Sequence, residues 1–594
     1  MDIQPKIVSL FFIIAFCFIN DKEALAEETD YQLMLVGSQL EFCRSTELTH
    51  CSPSSVTSFS QALSRDSIKY KFSIKQVNKA TATEHWQSGR QTIRYDMAII
   101  LQELAKKFGT KVLSYPQLLA VWKSTTVKHN QRQLSGHSLL LSLSEDERLM
   151  ILDFLELPQL DSFSQRIEEQ TIVNDKISPF SNSLFQQIVE QARLKNNQSK
   201  PSILIVTAGN RDSFYDVDAY TSLFNQLGAD AKWLPIDAAL TQLKADKERC
   251  MWLENYRGRI LNSFDRAKVY EDLLLIQQRF CKQPFLMSNA INAADAIVFV
   301  GDSPLKLRAS LISGDNKPSL YLSLIKRRVE MNKLFVAAIG AVGRALVSQA
   351  HTSPVILSGN SEQAMNLGSI NVLEASTKCN RFESCQSQHN LTTYYPGGVG
   401  LFDFAVLDTD MSERGNIARL ARVVYDMEQQ FGLGIDQNTA VMLANPESDT
   451  VKVKVIGSQG VVVLNKTKDS QQHSTDDELR QINYSYLTTG DIAEFSNGQM
   501  RVTYPQWKKT PASANTAPLS FNNLFFNSNF KLFSQQACLI NEPQWSGFAG
   551  RKRQYTVTLA KSDSSEFRLG GLKVGNGYQL FCSFTSLLLD ITRR

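Results

Sequence analysis

PSILIVTAGNRDSFYDVDAYTSLFNQLGADAKWLPI, residues 201–236, passes from an apolar run through a glycine turn into an amphipathic stretch and back to an apolar run. A short apolar run closed by glycine reads as a buried strand, and the amphipathic stretch behind it as a helix. The same grammar returns twice. NAADAIVFVGD (292–302) is a third strand followed by the helix SPLKLRASLI (303–312), and NKLFVAAIGAVGRALVSQA (332–350) reads as strand, turn and helix. Apolar strands alternating with amphipathic helices predict an α/β fold of three layers, a mostly parallel sheet covered on both faces. Ligands of such sheets sit at the carboxyl ends of the strands. The candidate site therefore draws on Gly37, Thr207 to Arg211, Gly301 to Ser303 and Ile339 to Arg344.

Working outward, YQLMLVGSQLEFC (31–43) is a first buried strand within residues 27–51. Residues 52–198 read as a helical insertion or cap. In this stretch DMAIILQELAKKF (96–108), SLSEDERLMILDFLEL (142–157) and FSNSLFQQIVEQARL (180–194) return apolar residues at three-to-four spacing. The α/β domain then occupies 199–465. After the third unit come the strand FAVLDTD (404–410) and the helix SERGNIARLARVVYDMEQQF (412–431), then GLGIDQNTAVMLA (432–444), TVKVKVIGSQGVVVLNK (450–466) and SYLTTGD (485–491), read as strands and hairpins closing the domain. Closing strands and linkers fill 466–517, including a polar, exposed loop at 467–481. YTVTLA, FRLGGL and YQLFCSF give the C-terminal part, 518–594, a small β region, either a module or an extension of the main domain.

The start of the chain stands apart. IVSLFFIIAFCFI is an apolar run shorter than a membrane span, and NDKEALA ends it in Ala24, Leu25, Ala26, so residues 1–26 read as a cleaved secretory signal. Phe16 before Cys17 is a poor fit to a lipid-modified cysteine. Removing 1–26 leaves an even set of cysteines. In an exported chain that number permits disulfides, with Cys43–Cys51, Cys379–Cys385, Cys250–Cys281 and Cys538–Cys582 one plausible set. The expected location is periplasmic or secreted, with no integral membrane association. Lys and Arg number 63 against 59 Asp and Glu and are well mixed, which argues against a nucleic-acid partner. The basic pair Lys508 and Lys509 is expected to face solvent.

VTAGNRDSFYDVDAYTSLFNQLGADAKWLPI (206–236), ADAIVFVGDSPLKLRASL (294–311), LFVAAIGAVGRALVS (334–348), VLDTDMSERGNIARL (406–420) and GLGIDQNTAVML (432–443) together resemble the cyanophycinase-like family of serine peptidases. That family is related to aspartyl dipeptidase and has a fold like class I glutamine amidotransferases. The resemblance covers 31–43 and about 200–465 and implies a nucleophilic serine, a histidine base and an acidic partner. A serine hydroxyl needs a positioned base, and the anion it forms needs backbone donors. Here the family's G-T-S-A-G-A-A-V-M-S is matched by I-G-A-V-G-R-A-L-V-S, which puts Ala341 at the nucleophile. D-Q-H-F-S-E-R-G is matched by D-T-D-M-S-E-R-G, which puts Asp410 at the base, and G-I-D-E-x-T-A by G-I-D-Q-N-T-A, which puts Gln437 at the acid. Alanine has no atom to attack with, and an aspartate near pKa 3.9 is a far weaker base than a histidine near 6.5. Gly37, Gly301, Asp302, Ser303, Gly340 and Gly343 remain as pocket or former oxyanion loops, and Asp408, Arg414 and Arg419 as framework.

Ser303 before Pro304 reads as a helix N-cap. His351 and His389 are expected to lie exposed. Asp302, Asp408, Asp410 and Asp436 are more readily capping and hydrogen-bonding groups than cation ligands, so no metal is expected, and no cofactor is called for. Arg211 and Arg344, beside glycine turns, are candidates for holding a carboxylate or phosphate. The expectation is a catalytically inactive homologue that binds a peptide-like or acidic ligand or a protein partner. The alternatives are an exported serine-type hydrolase with relocated catalytic residues, and a structural or assembly protein. Oligomeric state is not legible in the sequence.

Overall fold

A computed structural model describes residues 30–594 apart from 39, 60–61, 174–177, 372–385, 428, 513–517 and 575–576. The signal reading (1–26), Cys17 and the Cys379–Cys385 pair lie outside the described residues. Tyr31–Arg594 form one unit.

Five strands come from the apolar runs: β1 (Leu33–Val36), β2 (Ser202–Val206), β3 (Asp230–Trp233), β4 (Ala296–Val300) and β5 (Phe335–Ile339). They lie side by side, all parallel, in the order β3-β2-β4-β5-β1. One face packs on the helices Ala238–Ala245, Pro304–Leu311 and Leu320–Glu330, the other on Pro179–Asn196 and Val217–Gln226. The four strands inside β3 are covered on both faces and carry apolar side chains on both, hence their near-unbroken runs, whereas β3, DAKW at the sheet edge, leaves Lys232 exposed.

The rest of the chain departs from a mostly parallel sheet. It forms β6 (Ala405–Thr409), β7 (Phe431–Ile435), β8 (Thr439–Ala444), β9 (Thr450–Gly457), β10 (Gly460–Asn465), β11 (Leu479–Thr488), β12 (Ile492–Ser496) and β13 (Gln499–Thr503). β8, β9, β12 and β13 extend the first sheet beyond β1, every pairing antiparallel, so that sheet is mixed. β6 and β7, parallel to each other, begin a second sheet that β10 and β11 continue antiparallel. Parallel neighbours need long crossovers, and between β7 and β13 every connection except that from β10 to β11 is too short for one. Asn497 and Gly498, both at positive φ, make the tight turn between β12 and β13.

β7 and β8 are not a hairpin: residues 436–438 carry the chain from the second sheet to the first. The chain returns after β9 and crosses again after β11. Leu433, Ile435, Val461 and Val463 of the second sheet share one core with Val441, Leu443, Val453 and Val455 of the first.

The C-terminal strands are no separate module. β14 (Gln544–Ala549), β15 (Tyr555–Ala560), β16 (Glu566–Val574) and β17 (Gly577–Arg593) complete the second sheet, with β17 bonded to β11, β15 and β16. Lys508, expected at the surface, is buried. Its ammonium donates to Asp491 at 2.6 Å, and to Thr488 and Ser583 hydroxyls at 2.8 and 3.0 Å. Burial lowers the Lys508 ammonium to about 8 against the pull of Asp491. The 467–481 stretch contains a capped helix, Lys468–His473, before β11 begins.

Most of the insertion has a core of its own, built around Phe72, Met97, Ile100, Leu101, Trp122 and Ile151. The helix Pro179–Asn196 is different: Leu184, Phe185 and Ile188 pack on the sheet with Met34 and Ile203, so it belongs to the outer layer of the α/β fold. Among the described residues Cys43–Cys51, Cys250–Cys281 and Cys538–Cys582 form disulfides. No described helix is long and apolar enough to cross a membrane.

Candidate functional site

β5 ends in Gly340 at φ +89°, and a short 3-10 helix, Ala341–Leu346, follows. A sharp strand-to-helix turn of this kind holds the nucleophile in many hydrolases. The left-handed residue is Gly340, one position before Ala341, and neither residue has a side-chain oxygen or sulfur. The helix expected to run on to 350 stops at Leu346. The carbonyls of Ala345, Leu346, Val347 and Ser348 accept instead from the N–H groups of Val399, Leu401, Gly400 and Gly398, at 2.7–2.9 Å. Gly398 permits this approach, because a Cβ there would stand 2.3 Å from the Ala345 carbonyl oxygen.

The neighbouring loops converge on this turn. Val342 N–H donates to Gly301 O at 3.3 Å, and a Cβ on Gly209 would lie 2.1 Å from Val342 Cγ1. Gly301, at φ +136°, presses on Gly209, whose Cα is 2.6 Å from where its Cβ would be. Ser303 caps the next helix: its hydroxyl accepts from Lys306 N–H at 3.3 Å, and its own N–H donates to Gly209 O at 3.0 Å. Gly343 has only ordinary van der Waals room around it.

Asp410 and Gln437 are brought together. Gln437 Nε2 donates to Asp410 Oδ1 at 3.2 Å, and Arg414 lies 3.5 Å from the other Asp410 oxygen. Asp410 has φ +50°, and its N–H donates to Gly37 O at 2.8 Å. Gly37 is wedged against the next corner, since a Cβ there would stand 2.1 Å from Asp436 O. Beneath this pair lie two carboxyls. Gln437 N–H donates to Glu413 Oε2 at 3.1 Å, while Asp436 accepts from Tyr486 at 2.6 Å and from Ser412 N–H at 3.0 Å. Burial and then the charge of Asp436 push Glu413 up to about 7, opposed by Lys531 at 3.9 Å. Burial raises Asp436 as well.

Arg344 points inward. Its Nε donates to Thr409 Oγ1 at 2.9 Å and lies 3.4 Å from Asp408, and burial lowers it to about 10. Asp408 is held by Arg419 at 2.6 and 2.9 Å. Arg211 is engaged too: its two terminal nitrogens each meet an oxygen of Asp153, on the insertion helix Glu145–Leu155, at 2.8 Å. Both arginines expected to hold an anion are therefore committed to carboxylates of the protein.

Arg211 borders a cavity of about 470 Å³ between the insertion and the strand-end loops, with Asp302 also on its wall. The other arginines around it are likewise paired: Arg44 with Glu169 and Asp216, Arg166 with Asp218 and Asp272, and Arg266 with Asp212 and Glu156. Burial alone would raise Asp212, but Arg266, Arg257 and Arg211 outweigh it and hold it below the usual carboxylate range. These pairs dock the insertion onto the loop after β2 and the segment after β3.

The four aspartates do not gather around a common point. Asp302 lines the cavity, Asp408 pairs with Arg419, Asp410 with Gln437, and Asp436 with Tyr486. Among the described residues no group of three histidine, cysteine or acidic side chains is placed to hold a metal. His351 and His389 are exposed. Sequence reasoning missed Glu413, Tyr486 and Lys531, and the cavity with its arginine pairs. Glu413 lies within the SERG stretch, but nothing local to it signals a buried carboxyl neighbour. Compared with models of known protein families, the sequence matches none.

Proposed function

We propose that this chain is an exported, noncatalytic homologue of cyanophycinase-like peptidases that binds a peptide-like ligand or a protein partner. The observation that carries the reading is the pair Asp410–Gln437, hydrogen-bonded at the strand ends where the resemblance calls for histidine and acid. A carboxylate and an amide do not reproduce the histidine and acid that would activate a serine hydroxyl. The turn at Gly340 and Ala341 has the shape of a nucleophile-bearing turn without the attacking atom. Export is supported by the three disulfides, which persist in oxidising compartments. The internal pairing of Arg211 and Arg344 removes support for an acidic ligand, which leaves the peptide-like ligand or protein partner.

The test is hydrolysis of cyanophycin and of α- and β-linked aspartyl peptides by the purified, disulfide-bonded chain. No turnover by a folded sample is the expected result. Saturable product release that survives in preparations free of contaminating peptidase, and that a single substitution at the strand ends abolishes, would overturn the proposal in favour of relocated catalysis.

A further inference from the structure

The cavity between the insertion and the strand ends is chemically lopsided. Its wall carries the guanidiniums of Arg44, Arg166, Arg211 and Arg266 against twice as many carboxylates. Each of those guanidiniums is already matched to a carboxylate, so an entering anion would find no free charged donor and a negative field.

Two tyrosines make the cavity a candidate site rather than a filled ion-pair lattice. Tyr70 and Tyr270 are each more than nine-tenths buried and both line it. Neither hydroxyl has a hydrogen-bond partner among the described residues, and neither is a sealed-off oxygen: both belong to residues on the cavity wall. Tyr70 sits directly opposite Glu156 where the short strands 69–70 and 156–157 pair, which puts the two side chains on one face. Glu156 accepts from Arg266 through Oε2 at 2.6 Å, and its Oε1 has no partner among the described residues. A carboxylate and two phenols thus line a volume of about 470 Å³, within the size range of small-molecule sites.

We propose that this cavity binds a small organic cation, an ammonium or guanidinium compound, with Glu156, Tyr70 and Tyr270 as its acceptors. The ligand's charge offsets the excess of carboxylates, and its N–H groups satisfy the unpaired oxygens. The proposal does not depend on whether the strand-end pair Asp410–Gln437 is catalytic.

Isothermal titration calorimetry on the full disulfide-bonded chain tests it, with agmatine and spermidine as cationic probes and glutarate as an anionic one. The expected result is one-to-one binding of at least one cation with a dissociation constant below about 1 mM, and no glutarate heat. Tyr70→Phe with Tyr270→Phe keeps both rings and weakens that binding about tenfold, as the loss of two modest hydrogen bonds predicts. If the double variant does not fold, Tyr270→Phe alone is expected to weaken it about threefold. Equal binding of glutarate, no binding of either cation, or unchanged binding by the folded variant overturns the proposal.

Discussion

Replacing Glu413 by glutamine isolates the electrostatics of the strand-end corner. In the folded chain burial and Asp436 hold the Glu413 carboxyl up at about 7, against an ordinary value of 4.5. Between those values the folded chain binds more protons than the unfolded chain. Stability from this group is therefore full below about pH 4.5 and is lost as pH rises through about 7. At about 1.4 kcal/mol per pH unit the ceiling on that loss is about 3 kcal/mol. The Glu413 side chain is 19% exposed, and Lys531 is near, so screening reduces the expected effect to about 1–2 kcal/mol. Glutamine keeps an oxygen for the Gln437 N–H and removes the charge. Urea unfolding of the disulfide-bonded chain at pH 5 and pH 8 should therefore show Glu413→Gln gaining about 1–2 kcal/mol on the wild type at pH 8, with little difference at pH 5. A variant less stable than the wild type at pH 8, or a difference that does not change between the two pH values, refutes the reasoning.

Breaking the fully buried Lys508–Asp491 pair with Lys508→Ala should cost about 3–5 kcal/mol, because Asp491 is left charged and unmatched. Lys508→Met with Asp491→Leu should recover much of that loss in the same unfolding assay. Gly37→Ala places a methyl group 2.1 Å from the Asp436 carbonyl oxygen, with the Ile435 carbonyl oxygen at 2.7 Å. Relief requires moving backbone, so the variant should unfold at markedly lower urea, and faster amide exchange at Asp410, whose N–H bonds to Gly37, should accompany it.

The parallel half of the fold is legible because burial on both faces leaves its mark residue by residue: LMLV, AIVFV and FVAAI have no exposed side to write in polar letters. The mixed half is not, since pairing depends on residues far apart. FGLGI and TAVMLA stand three residues apart and look like a hairpin, yet they enter different sheets. The overextended helix at 341–350 has the same origin, because the competing N–H groups come from 398–401. Lys508 reads as surface because charge is costly to bury, and the Asp491 that makes burial tolerable lies outside its own segment of chain. At the site, the positions 341, 410 and 437 were visible only through a resemblance. The raised pKa of Glu413 depends on a lining that includes Asp436 and the distant Lys531, which no local window of sequence contains.

Strand order also sets a timetable for synthesis. A chain emerging N-terminus first presents β1 long before its neighbours exist, for Leu33 pairs with Val336 on one side and Leu443 on the other. The second sheet has the opposite problem: β11, β15 and β16 are all made before β17, the strand that joins them. The first sheet is complete only once β13 has been made and the second only once β17 has, and open apolar strand edges attract one another. Such an order leaves apolar strand edges unpaired through much of synthesis.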